Sequence, residues 1–200
     1  MDLVLGIDSS TTATKAIAWD RQGRAVAEGR SSLPMRDLGR GWMEQSVEDW
    51  WRSLGTALHD LFRQVDPARV AALAVSNQRE TVGFLDEAGQ EVRPAILWLD
   101  ERSRPDIDLF GAKLPPERFR AITGKTPDPT PAVFSLHWLM RCEPEHWRRT
   151  AHVVDVLGYL GWRLTGRRAT SWGSADPHGV LDLASLRPSA EILAVLGMST

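Results

Sequence analysis

Cysteine occurs once in this 200-residue chain, as Cys142. A lone thiol excludes an internal disulfide framework and suits a reducing compartment. Net charge is nearly absent too, at −2, which removes the electrostatic reason to expect nucleic acid or an anionic membrane surface as partner. No apolar run approaches the length of a bilayer span. The short apolar run at the start has no basic region before it and ends at Asp8, unlike a secretory signal. Neither G-x-x-x-x-G-K-[ST] nor G-x-G-x-x-G occurs, so two familiar phosphate loops are excluded. A solenoid-type repeat is also missing. With 42% apolar residues the chain can bury one good core or two small ones, and the expectation is a cytoplasmic α/β protein.

What is present begins with Leu3 to Asp20. Leu3–Ile7 is a branched, apolar run of the kind that forms a buried strand, and Ala13–Trp19 reads as a second strand returning from it. Between them stand four consecutive hydroxyl residues, Ser9 to Thr12, with no bulky side chain. Successive main-chain N–H groups in such a bend can close on a phosphate. Asp8 would repel a phosphate unless a divalent cation, usually Mg²⁺ in such sites, lies between them. The other reading is a hairpin turn braced by Asp8 and Ser9 side chains.

A third strand is expected over Ala25–Gly29, then an irregular stretch from Ser31 to Gly41. Ser46 with Asp49 three residues on is a helix start. Val47, Trp50, Trp51, Leu54, Ala57, Leu58, Leu61, Phe62 and Val65 follow helical spacing, and the helix should stop at Asp66–Pro67. Of the nine tryptophans, those at such spacing read as core rather than sugar platforms. Val70–Val75 is an apolar strand whose polar end, Ser76–Glu80, lies where α/β sheets place ligands. Strands follow over Thr81–Leu85 and Val92–Leu99. Helices follow around Ile107–Phe110, Glu117–Ile122 and Val133–Met140, then a strand at Val153–Val154 and helices over Val156–Leu164 and Ala190–Leu196. Gly179–Leu183 is strand-like, and His137 and His146, lacking near partners, read as surface residues.

Several polar groups are candidates for binding. Arg79 and Glu80 are adjacent and would face opposite ways on a regular strand; together, at a strand end, they offer donors and acceptors to neighbouring hydroxyls. A solvated ion pair is the alternative. Trp98 beside Asp100 can hold a sugar or polyol, or be a core tryptophan before a helix start. Lys125–Pro131 carries three prolines, stiff enough to preset Asp128 and Thr130 at a pocket or to act as a spacer.

Four blocks, taken in order, resemble the N-terminal domain of the FGGY family of carbohydrate kinases, which includes glycerol kinases and xylulokinases. They are Gly6-Ile7-Asp8-Ser9-Ser10-Thr11-Thr12, Gly41-Trp42-Met43-Glu44-Gln45, Ser76-Asn77-Gln78-Arg79-Glu80-Thr81 and Pro94-Ala95-Ile96-Leu97-Trp98. Thr123-Gly124 with Asp128-Pro129, and Leu164-Thr165-Gly166, extend the match over residues 1–200. The resemblance implies an actin-like, ribonuclease-H-like α/β domain, its mixed sheet opening with three antiparallel strands and flanked by helices. It implies ATP and Mg²⁺, a small sugar or polyol as acceptor, and a possible homodimer. Asp8 resembles the metal- and phosphate-side aspartate. Ser10, Thr11 and Thr12 fall in the phosphate bend, and Lys15 stands where glycerol kinases carry an arginine near the nucleotide. Arg79, Glu80 and Trp98 match the substrate pocket, with Asp100 and Thr130 as further substrate-side residues.

Two departures bear on the acceptor. Xylulokinases usually carry Met-His in place of Arg79-Glu80. Glycerol kinases carry an aromatic where Thr130 stands, and a smaller residue there suits a longer acceptor, so a pentulose or comparable polyol is the expectation and glycerol the alternative. The family's general-base aspartate and its second, nucleotide-binding domain are not among these residues, so the chain reads as the front part of a longer enzyme, inactive alone. A non-catalytic sugar-binding or regulatory module on the same fold, and a different actin-like ATPase, are the rival readings.

Overall fold

The computed structural model describes residues 2–198. Strand β1 (Leu3–Ser9) turns Leu3, Leu5 and Ile7 into the core on its period of two. It pairs antiparallel with β2 (Ala13–Trp19), and β2 with β3 (Ala25–Ser32), giving the three expected strands. The stretch expected to be irregular is partly paired: β3 runs on to Ser32, and β4 (Arg36–Asp37) lies against β5 (Met43–Gln45). A two-residue ladder is too short to show any alternation of apolar residues.

Helix α1 (Val47–Phe62) begins at Ser46, whose hydroxyl accepts the Glu48 N–H, and ends before the predicted Asp66–Pro67 stop. It buries Trp50, Leu54, Ala57 and Leu61. Strand β6 (Val70–Asn77) then runs parallel to β1, completing the order β3-β2-β1-β6. Although apolar, β6 has one strand neighbour among the described residues and leaves Leu73 exposed.

Strands β7 (Val82–Leu85), β8 (Glu91–Ile96) and β9 (His152–Val154) join β4 and β5 in a second sheet of order β4-β5-β8-β7-β9. The helices beside it are α2 (Arg104–Gly111), α3 (Pro116–Thr123), α4 (Ala132–Cys142) and α5 (Pro144–Arg149). Gly124, left-handed at φ 69°, ends α3 as a side chain could not easily do. After β9 come α6 (Val156–Thr165), the single turn α7 (Trp172–Ala175), a short hairpin β10 (Leu181–Asp182) and β11 (Arg187–Pro188), and α8 (Ala190–Val195). The strand expected over Gly179–Leu183 is thus only two residues long.

Two apolar clusters form. One packs Trp50, Tyr159 and Leu160 against the first sheet; the other packs Phe84, Phe110, Phe119 and Phe134 around the second. His137 corrects the expectation of a surface residue: it is buried, with Nδ1 2.6 Å from Asp106, which also holds Arg141. His146 likewise has a partner, Glu143, at 2.7 Å. No helix among the described residues is long and apolar enough to cross a membrane.

Candidate active site

Parallel strands β1 and β6 end level with each other. Asp8 stands opposite Ser76 and Ser9 opposite Asn77, and Gln78 continues the ladder by donating its N–H to the Ser9 carbonyl at 3.0 Å. The hydroxyl bend and the segment after β6 therefore leave the sheet side by side, at its carboxyl edge. Between them lies a hollow of about 380 Å³, lined on one side by Asp8, Ser10 and Thr11 and on the other by Asn77, Gln78, Arg79 and Glu80, with Trp98 completing it.

The bend is closed from within: the Ser10 N–H and hydroxyl both donate to the Ala13 carbonyl, at 3.0 and 2.9 Å. The Thr11 hydroxyl accepts from Trp98 Nε1 at 3.1 Å, leaving its own proton free to donate. The N–H groups of Thr11 and Thr12 meet no acceptor among the described residues. They are donors available to an anion. One Asp8 oxygen accepts the Ser76 hydroxyl at 2.9 Å.

Beneath the bend is a buried network that sequence reasoning missed. Gln45, 1% exposed, donates to the Thr11 carbonyl at 2.5 Å and accepts from Trp50 Nε1 and Gln78 Nε2. Thr81 donates to the Gln78 amide oxygen at 3.0 Å and accepts the Trp98 N–H at 3.3 Å. The available signal was that all three fall in the motif blocks, Gln78 and Thr81 in the same one as Arg79 and Glu80 and Gln45 in the block that ends before α1.

Arg79 and Glu80 reach one hollow because the backbone turns: Glu80 has φ 61°. Their charged ends are 3.9 Å apart, and Arg79 is largely exposed, so neither is saturated by the other. Burial raises the Glu80 carboxyl above its usual range, against the pull of Arg79 and Lys125. Trp98, 43% exposed, is not a core residue; it stands in the hollow, tethered to the bend.

The remaining site expectations fare differently. Asp100 is a correction: it is 1% exposed and its two oxygens hold Arg102 and the Met43 N–H, leaving it engaged in the fold rather than facing the hollow. Lys15 does not line the hollow; it reaches Glu28 at 3.1 Å and shares a separate depression with Asp8. Thr12 ends the bend with its side chain exposed and does not line the hollow. Thr130 does not line it either; its N–H donates to Asp128 at 2.8 Å.

No group of three or more metal-binding side chains occurs among the described residues. Asp8 is a single carboxylate beside free N–H donors. That set fits a cation that shares its coordination with phosphate oxygens and water, as Mg²⁺ does.

The family model for the N-terminal domain of the FGGY carbohydrate kinases matches residues 3–200. Glycerol kinase of Gluconobacter oxydans (strain 621H) is 31% identical, the alignment covering 98% of this chain and 40% of that protein. Xylulose kinase of Streptomyces coelicolor is 36% identical over 96% of this chain and 40% of its own length. The crystal structure of xylulose kinase from Rhodospirillum rubrum superposes with a TM-score of 0.93 at 27% identity, over 98% of this chain and 42% of that one. The chain thus spans about 40% of the length of the curated relatives it matches.

Proposed function

Because the chain belongs to the FGGY family of carbohydrate kinases, we propose that it supplies the acceptor side and the phosphate bend of an enzyme that transfers the γ-phosphoryl group of ATP to a primary hydroxyl of a small sugar or polyol. The observation that carries this is the single hollow shared by Asp8, the Thr11 bend, the Arg79–Glu80 pair and Trp98. Phosphoryl transfer of this kind is chiefly positioning and charge stabilisation, and the hollow offers both.

The N–H groups of Thr11 and Thr12 and the free Thr11 proton donate to the phosphoryl oxygens. Asp8 is the residue that would hold Mg²⁺, which when bound neutralises phosphate charge. Arg79 donates to acceptor hydroxyls and Glu80 accepts from them, while the Trp98 face packs against the C–H side of the carbon chain. The attacking hydroxyl loses its proton to a general base as its oxygen bonds to the γ-phosphorus and ADP departs. In this proposal the base and the adenine site belong to a segment outside residues 1–200, and closure over the hollow excludes water. Lys15 lies toward the nucleotide side. The acceptor in this proposal is a pentulose or a polyol of similar length, in keeping with the relatives named xylulose kinase.

The test uses the complete gene product with Mg·ATP, reading ADP release across pentuloses, polyols and glycerol. Asp8→Asn keeps the shape and the Ser76 contact. It should lower kcat about 100-fold or more while the acceptor KM changes little, as for loss of a group that acts on developing charge. Equal kcat values for variant and parent would remove Asp8 from the chemistry. Sugar binding without any ATP turnover would make the chain part of a non-catalytic sugar-binding module.

A further inference from the structure

Glu80, which lines the hollow, has charged neighbours that the proposed reaction does not use. Lys125, in the loop after α3, donates to Asp176 at 2.8 Å and to the Thr123 carbonyl at 3.2 Å. Asp176 opens the turn that follows α7. Helix α7 is itself moored to the hollow, since the Ser174 hydroxyl donates to Asn77 Oδ1 at 3.3 Å. Asp128 belongs to the same surroundings, held in the proline loop by the Thr130 N–H. All three charges bear on the Glu80 carboxyl, Lys125 favouring its charged form and Asp128 and Asp176 opposing it. The Lys125 and Asp176 side chains stay reachable from solvent, at 19% and 38% exposure.

An ammonium has three donors, and Lys125 directs its bonds to only two acceptors here. Asp176 keeps its second oxygen free of any partner among the described residues. A donor and an acceptor side by side suit a hydroxyl, which can satisfy both at once. The surrounding charge is uneven, with the two cations Arg79 and Lys125 against the three carboxylates Glu80, Asp128 and Asp176. A carboxylate or phosphate on the acceptor would meet net repulsion there, whereas a neutral polyol would not. A three-carbon acceptor also has no hydroxyl left over for this pair. One hydroxyl reacts, and the other two are taken by Arg79 and Glu80.

We propose that the Lys125–Asp176 ion pair is a specificity determinant for the far end of the acceptor, binding a hydroxyl of a neutral chain longer than glycerol and turning away sugar acids. This rests on the kinase reading above. It adds positioning residues that touch the end of the acceptor remote from the transferred phosphoryl group.

The experiment measures ADP release by the complete gene product with D-xylulose, glycerol and D-gluconate. The parent should favour D-xylulose over both others. Lys125→Met and Asp176→Asn should each lower the ratio of kcat/KM for D-xylulose over glycerol by about tenfold. The change should lie in the D-xylulose KM, with the ATP KM unmoved, and Lys125→Arg should restore most of it. Should Lys125→Met fail to fold, the isosteric Asp176→Asn decides alone. An equal loss with both acceptors would make the pair a structural tie and overturn the proposal, as would a preference for D-gluconate. If the parent releases no ADP with these three or with the wider panel of pentuloses and polyols, the kinase reading itself has failed and the proposal falls with it; turnover confined to some other acceptor would overturn the proposal alone.

Discussion

Glu80 holds its backbone at φ 61°, a region that costs a long L side chain on the order of 1 kcal/mol. That turn lets two consecutive side chains, Arg79 and Glu80, face one hollow. The carboxylate is also held where burial disfavours its charge, so its pKa is raised. The sign for activity follows. As pH falls the carboxyl takes up its proton above the ordinary glutamate range of about 4.3, and the acceptor loses its anionic partner. kcat/KM for the sugar should therefore fall toward acid through that raised value. Glu80→Gln should abolish this limb and lower the neutral plateau about tenfold, since hydrogen bonds to charged groups are among the stronger ones. For stability the sign is opposite. A raised folded pKa favours the native state below the unfolded pKa, and that gain is lost as pH rises through the folded one. Glu80→Gln should melt no lower than the parent at neutral pH and gain less at pH 4. A fall in neutral-pH melting temperature, or an acid limb that survives the substitution, would contradict this account.

Helix α1 rests on β3 through a glycine. A Cβ built on Gly29 would lie 1.9 Å from the Ala57 carbonyl oxygen and 2.8 Å from the Leu61 nitrogen, both backbone atoms that cannot swing aside. Gly29→Ala must push the helix off the strand and should cost about 1–3 kcal/mol or more in denaturant unfolding. Gly55 is the control on the same helix. It lies mid-helix with open space around it, so Gly55→Ala should stabilise by about 0.8–1.0 kcal/mol. If the two substitutions act alike, the packing account is wrong. The helix itself was legible in the sequence, because its apolar residues recur at helical spacing over four turns. Pairings between distant segments were not. β9 meets β7 by matching Gly83 with Val154, and β4 is two residues long, so no local period announces either. The site divides the same way. Asp8, Thr11, Arg79 and Glu80 were readable as polar residues at or just past strand ends within motif blocks, and Trp98 as an aromatic in another such block. Asp100 was misread because an acid beside a tryptophan looks like a sugar contact, while its burial against Arg102 depends on the folded chain.

Across the whole molecule, the two sheets are joined beneath the hollow by amides and hydroxyls, in addition to the apolar contact that Leu85 and Ala95 of the second sheet make in the first cluster. Gln45 is the centre of this bridge. It sits on β5 in the second sheet, yet it holds the Thr11 carbonyl of the first sheet's bend and the indole of Trp50 on α1. Through Gln78 and Thr81 the same chain of bonds reaches the Trp98 backbone, so the phosphate bend and the acceptor wall share one support. Replacing Gln45 by leucine keeps the volume and removes both amide functions. The Trp50 N–H, the Gln78 amide and the Thr11 carbonyl would then be left buried without partners, at about 1–3 kcal/mol for each group that finds no water. The unfolding midpoint should drop accordingly. A merely structural loss would stop there, leaving the surviving folded fraction with normal constants. A shared support predicts more: with active-site concentration corrected by titration, Gln45→Leu should raise the acceptor KM and lower kcat together, because Trp98 and Thr11 lose their common registration. Gln45→Glu, which keeps the acceptor oxygen but not the donor to Thr11, should retain more acceptor affinity than kcat. Normal kcat and KM in the folded fraction of Gln45→Leu would show that the bend and the acceptor wall are positioned independently.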